Sequence, residues 1–142
     1  MKKLLVSVLV LMSVSAFANL QGKWTGWGEW KFQGSGASCY TFLNFSENDK
    51  MLKRHETAFD CQVAVLHILE ESWEKQGDNL VINSEVVGTV QNDHYSMTEQ
   101  YDENVTIKTD IKVEGNHLDY KEMWYDQGQE LYEITGRLFR KQ

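Results

Sequence analysis

Residues 105–114 alternate without a break: Val105, Ile107, Thr109, Ile111 and Val113 against Thr106, Lys108, Asp110, Lys112 and Glu114. Successive side chains of a strand point to opposite faces, so this run specifies a β-strand with one face buried and one in water. Gly115-Asn116 follows as a hairpin tip, residues 118–125 return, and Asp126-Gln127-Gly128-Gln129 turns the chain into a last strand over 131–139. The same grammar runs upstream. Strands are predicted over 23–33, 39–45, 51–59, 80–86 and 94–101, separated by turn-forming clusters such as Gly34-Ser35-Gly36, Gln76-Gly77-Asp78-Asn79 and Asp102-Glu103-Asn104. There is no proline in 142 residues, which suits a chain made of hydrogen-bonded strands, since each proline would delete a ladder donor.

One segment is ambiguous. In residues 61–73, Val63 to Leu69 is apolar on both parities, which fits a doubly buried strand or a short helix. The β-branched residues at its start favour strand. The expected fold is therefore all-β: an up-and-down antiparallel β-barrel of about eight to nine strands, whose closure removes exposed edges. No internal repeat or second-domain boundary is visible, so residues 19–142 are expected to form a single domain.

The first 18 residues read as a secretory signal peptide. Met1-Lys2-Lys3 is the positive start, residues 4–14 are the apolar run, and Ala16-Phe17-Ala18 is the cleavage pattern. The apolar run is too short to span a bilayer, so no stable membrane anchor is expected. The expected address is periplasmic or secreted. Loss of Lys2 and Lys3 leaves 12 basic and 21 acidic residues, a net charge of −9. That balance argues against nucleic acid as a partner, because binding phosphates needs a basic stripe. In an oxidising compartment Cys39 and Cys61 are most simply one disulfide.

Gly22-Lys23-Trp24, placed just after the leader, resembles the G-x-W opening of the lipocalin/calycin superfamily. The resemblance implies that Trp24 lies at the floor of a barrel, with an arginine of the last strand packed over its ring. Arg137 and Arg140 are the two candidates. Trp24-Thr25-Gly26-Trp27-Gly28 also resembles the W-x-G-x-G start of nitrobindin-type haem barrels. Those ligate iron through a histidine near the end of the chain, and here the last histidine is His117, so no haem or other cofactor is expected.

The chain offers little catalytic chemistry. His55, His67, His94 and His117 lie on four separate segments without metal-ligand spacing, so no metal site is expected. Glu70, Glu71 and Glu74 flank Trp73 and read as a solvated charged edge. No nucleophile elbow or phosphate-binding glycine loop occurs, so the protein is not expected to be an enzyme. What rises above background is aromatic content, with Trp30, Phe42, Tyr95, Tyr120 and Trp124 the candidate ligand-binding residues. The expected function is non-catalytic binding of a small apolar or amphipathic ligand inside the barrel. The alternative is an envelope protein-binding or inhibitor module with a filled core and an acidic interaction surface.

Overall fold

The computed structural model describes residues 19–62 and 64–142; the expected leader, residues 1–18, lies outside them. Eleven strands form one antiparallel sheet: β1 (Gly22–Phe32), β2 (Ser35–Glu47), β3 (Met51–Cys61), β4 (Ala64–Ile68), β5 (Glu71–Gln76), β6 (Asn79–Ile82), β7 (Glu85–Gln91), β8 (His94–Gln100), β9 (Val105–Glu114), β10 (His117–Asp126) and β11 (Gln129–Arg140). The order is up-and-down, each strand pairing with its neighbour in sequence, except that β4 and β5 do not pair with each other and both pair with β3. The last strand returns to the first, Trp24 opposite Arg140 through Phe32 opposite Tyr132. Ten strands thereby form a ring, and β4 hangs from β3 outside it.

Eleven strands replace the expected eight or nine because two expected strands are broken. The segment over 61–73 crosses from one half of β3 to the other: β4 pairs with Thr57–Cys61 and β5 with Met51–Arg54. At the break, the Arg54 side chain donates to the Leu69 carbonyl through Nε (3.1 Å) and Nη2 (3.0 Å). β4 is not doubly buried; Ala64, Val65 and His67 are exposed, and Ile68 is its one buried residue. The second break falls at Asn83-Ser84, where both residues have positive φ (51° and 67°). That is the geometry of a tight hairpin turn, which glycine or asparagine usually supplies. Serine at the second position hides it from a sequence reading.

The ring closes where glycines allow it. Gly26 and Gly28 share the inward parity of Trp24 and Trp30. A Cβ on Gly28 would collide with the Thr135 carbonyl of β11, and one on Gly26 with the Arg137 carbonyl. Side chains there would push β1 off β11 and open the ring. A bulge between β2 and β3, at Asn44/Phe45, gives β3 one extra residue, His55. Arg54 before it and Thr57, Phe59 and Cys61 after it are therefore all buried.

One end of the ring is plugged. Trp24 is fully buried and donates its indole N–H to the Leu20 carbonyl (2.9 Å). The Arg140 guanidinium lies 4.1 Å from the Trp24 ring centroid and donates to the carbonyls of Gln21 and, at 2.9 Å, Asn19. Stacking of this kind contributes about 0.5–2 kcal/mol. Arg140 is thus the arginine over Trp24, whereas Arg137 points outward and pairs with Asp119 (2.8 Å). Glu47, which the sequence did not single out, ties the plug together. It accepts from the Leu20 N–H (2.8 Å), the Tyr95 hydroxyl (2.8 Å) and the Lys75 ammonium (2.7 Å).

Cys39 and Cys61 face each other across β2 and β3 and form a disulfide, which is consistent with an oxidising compartment. Both are buried in the main core. Replacing the pair (Cys39→Ser with Cys61→Ser) is expected to lower the unfolding free energy by about 3 kcal/mol, from the loop closed by the bridge. Urea unfolding of oxidised wild type against the double variant measures it; equal midpoints would remove the bridge from the stability account.

Candidate functional site

The Trp24 end carries a cleft of about 440 Å³ lined mainly by polar residues, among them Glu47, Asp49, Lys75 and Asp93, and the opposite end is built differently. A cavity of about 480 Å³ opens there between the β4–β5 junction, the β6–β7 turn and the facing ends of β8 and β9. That volume is in the range of small-ligand pockets. Ile68, Leu69, Ile82, Val87 and Ile107 supply apolar wall, Tyr101 an aromatic edge, and Glu70, Glu71 and Glu85 the polar surroundings. Leu69 (80% exposed) and Tyr101 (55%) stand in solvent, so the cavity is open to water.

Its deep side is a buried ion pair. Arg54 donates from Nη1 (2.7 Å) and Nη2 (2.8 Å) to the two carboxylate oxygens of Glu99, in the bidentate form that suits guanidinium and carboxylate. The Arg54 guanidinium also lies 5.3 Å from the Trp73 ring centroid. Burial by itself would lower the Arg54 pKa, and the hydrogen bond and charge of Glu99 more than offset it, leaving a net rise. The pair is a local fixture: taking away one partner would strand a buried charge, at a cost of about 3–5 kcal/mol.

Further inside is a second carboxyl. Glu122 is fully buried on β10, at the same parity as Leu118, Tyr120 and Trp124. The Tyr120 hydroxyl donates to its Oε2 and the Trp124 indole N–H to its Oε1, the latter at 2.6 Å. Burial pushes the Glu122 carboxyl up to about 7, against the two hydrogen bonds and the Arg54 charge that pull it down. Burial likewise drives the Tyr120 phenol well above its ordinary value, with the adjoining Glu122 adding to it.

Of the five aromatic residues expected to bind ligand, none lines the cavity directly. Trp124 comes nearest: its ring lies 5.0 Å from Tyr101, a lining residue, and 5.0 Å from Tyr132 on its other side. Tyr132 meets Trp30 at 5.9 Å, and Trp30 stacks on Phe32 at 6.0 Å. A continuous aromatic row therefore leads from the cavity to the β1–β11 seam. Tyr120 joins this half through Glu122. Tyr95 belongs to the opposite end, held by Glu47 and lining the polar cleft there, and Phe42 is half-buried on the outer parity of β2. Sequence reasoning missed Arg54, Glu99 and Glu122. The first two are 45 residues apart, but Glu122 carries a readable signal as a charged residue set at strand spacing between the apolar or aromatic Leu118, Tyr120 and Trp124.

The four histidines are dispersed. His55 bonds the Ser46 hydroxyl (2.8 Å), His94 bonds Asp110 (2.6 Å), His117 faces Glu114 (3.4 Å), and His67 is exposed on β4. Among the described residues no group of three or more His, Cys, Asp and Glu is arranged to hold a metal ion.

Glu122 gives a signed pH dependence. Its folded pKa, about 7, lies above the ordinary 4.5, so between those values the folded protein holds a proton that the unfolded chain has released. Stability from this group is complete below about pH 4.5 and falls as pH rises to about 7, by about 3 kcal/mol at most. Glu122→Gln keeps the shape and removes the titration. The difference in urea stability between wild type and variant is expected to shift in the variant's favour from about pH 5 to about pH 8. A difference that stays constant across that range would place the carboxyl in water.

No family model matches this chain, and no curated protein matches it.

Proposed function

We propose that this protein is a lipocalin-like barrel, periplasmic or secreted by way of a cleaved leader, that binds a small apolar or amphipathic molecule without chemical conversion. The observation that carries the reading is the contrast between the two ends. One is plugged inside by Trp24, Arg140 and Glu47 and bears a cleft of about 440 Å³ lined almost wholly by polar residues, and the other opens into a cavity of about 480 Å³ with branched aliphatic walls. Apolar walls with a few fixed polar groups are what a small-molecule site requires. The β1–β11 position of Trp24 and Arg140, together with the Gly22-Lys23-Trp24 opening, supports the family resemblance. The disulfide and the leader-like first 18 residues support the address.

A protein-binding role is the second reading. It draws on the outer face, where Trp27 (64% exposed) and Tyr40 (41%) meet edge to face at 5.4 Å beside exposed Phe139. Aromatic residues of this kind are enriched at protein interfaces.

Titration with the uncharged fluorescent probe N-phenyl-1-naphthylamine separates the two. Saturable enhancement is expected, with a concurrent change in tryptophan emission because Trp124 touches Tyr101. Val87→Trp fills the cavity mouth and is expected to weaken binding about tenfold or more, roughly 1.4 kcal/mol, with the far-ultraviolet spectrum unchanged. Absence of enhancement with this probe, together with unchanged tryptophan emission across a series of aliphatic alcohols, would overturn ligand binding and leave the outer face as the working surface.

A further inference from the structure

The cavity that the binding reading rests on is also lopsided in charge. Four carboxylates, Glu70, Glu71, Glu85 and Glu99, line it with a single cation, Arg54. Arg54 is unavailable to a ligand. Nη1 and Nη2 are bonded to Glu99, and Nε and Nη2 to the Leu69 carbonyl. An incoming carboxylate or phosphate would have to displace an internal partner from a buried guanidinium, at the cost of leaving Glu99 unpaired. Glu70 is held at 2.7 Å by Lys53. Glu71 and Glu85 have no cation within salt-bridge distance among the described residues, and they sit on two different elements, at the start of β5 and of β7. A ligand whose tail occupies the aliphatic wall would thus bring its head group between two unneutralised carboxylates.

We propose that the cavity selects amphiphiles with a cationic head, that is, aliphatic amines or quaternary ammonium compounds, over neutral and anionic ones, with Glu71 and Glu85 as the residues that discriminate. This inference depends on the binding function proposed above. The aliphatic residues supply affinity for the tail through apolar burial, while the carboxylates set the sign of charge admitted. Like charges at the mouth act against fatty acids, so discrimination has a repulsive as well as an attractive part. Since the mouth is open to water, the preference is screened by salt.

Three probes with one tail test it: octylamine, octanol and octanoate, titrated calorimetrically into the oxidised protein at neutral pH. Octylammonium is expected to bind about tenfold more tightly than octanoate, with octanol between them, as two exposed charge contacts allow. High salt is expected to narrow the spread. The double variant Glu71→Gln with Glu85→Gln is expected to bring octylammonium to the affinity of octanol while leaving octanol unchanged, which also shows that the variant is folded. Octanoate binding as tightly as octylammonium, or a preference that survives the double variant, overturns the charge selection while octanol binding keeps the cavity reading intact. If none of the three binds, both fall together.

Discussion

Pairing of β1 with β11 is the interaction on which the rest of the molecule depends. Apart from the step from β3 to β5, every other contact between strands joins sequence neighbours, and such a meander would otherwise leave two long edges. The closing pair is long-range and runs from Trp24 opposite Arg140 to Phe32 opposite Tyr132. Its geometry depends on Gly26 and Gly28, where backbone approaches backbone too closely for a side chain, with Gly136 packed tightly opposite Gly28. The Trp24 indole and the Arg140 guanidinium lock one end of this seam, and the other is occupied by Trp30, stacked on Phe32 and meeting Tyr132 edge to face.

Closure also divides the interior into unlike halves. Towards the plugged end, Leu20, Trp24, Leu43, Leu52, Leu80 and Leu118 are fully buried against one another. Towards the open end, the inward positions carry Arg54, Glu99, Tyr120 and Glu122, with the aromatic row beyond them. Burying such groups costs free energy unless they are hydrogen-bonded. Here they are, in two small sets: Arg54 with Glu99 and the Leu69 carbonyl, and Glu122 with Tyr120 and Trp124. The first set has a second consequence. By fixing the Leu69 carbonyl, Arg54 ends β4, starts β5 and so shapes one wall of the cavity. The ion pair is therefore part of the architecture of the site and is not free to act as its anion receptor.

Much of the fold was legible in sequence because strand alternation and turn chemistry are local. The alternating run of β9 and the Gly34, Gly77, Gly115 and Gly128 turns fall where they were expected. Cys39 and Cys61, the two cysteines of the chain, stand opposite each other in one strand pair. The breaks that make eleven strands were not legible, since one depends on a tertiary hydrogen bond from Arg54 and the other on a turn without glycine. The site was less legible still. Aromatic content pointed to Trp30, Phe42, Tyr95, Tyr120 and Trp124, but aromatics serve a plug, a seam and an outer face as well as a ligand. Conversely, Glu70 and Glu71, read as a solvated edge, lie at the cavity because the chain changes pairing partner beside them.

With one end of the ring structural and the proposed ligand at the other, the two ends should respond differently to a bound alcohol. Amide hydrogen exchange, compared with and without saturating octanol, tests that directly. Added protection is expected at residues 68–71, 82–87 and 98–101, with no change over residues 19–24 or at Arg140. Protection centred on the Trp24 end, or spread evenly around the ring, would contradict it.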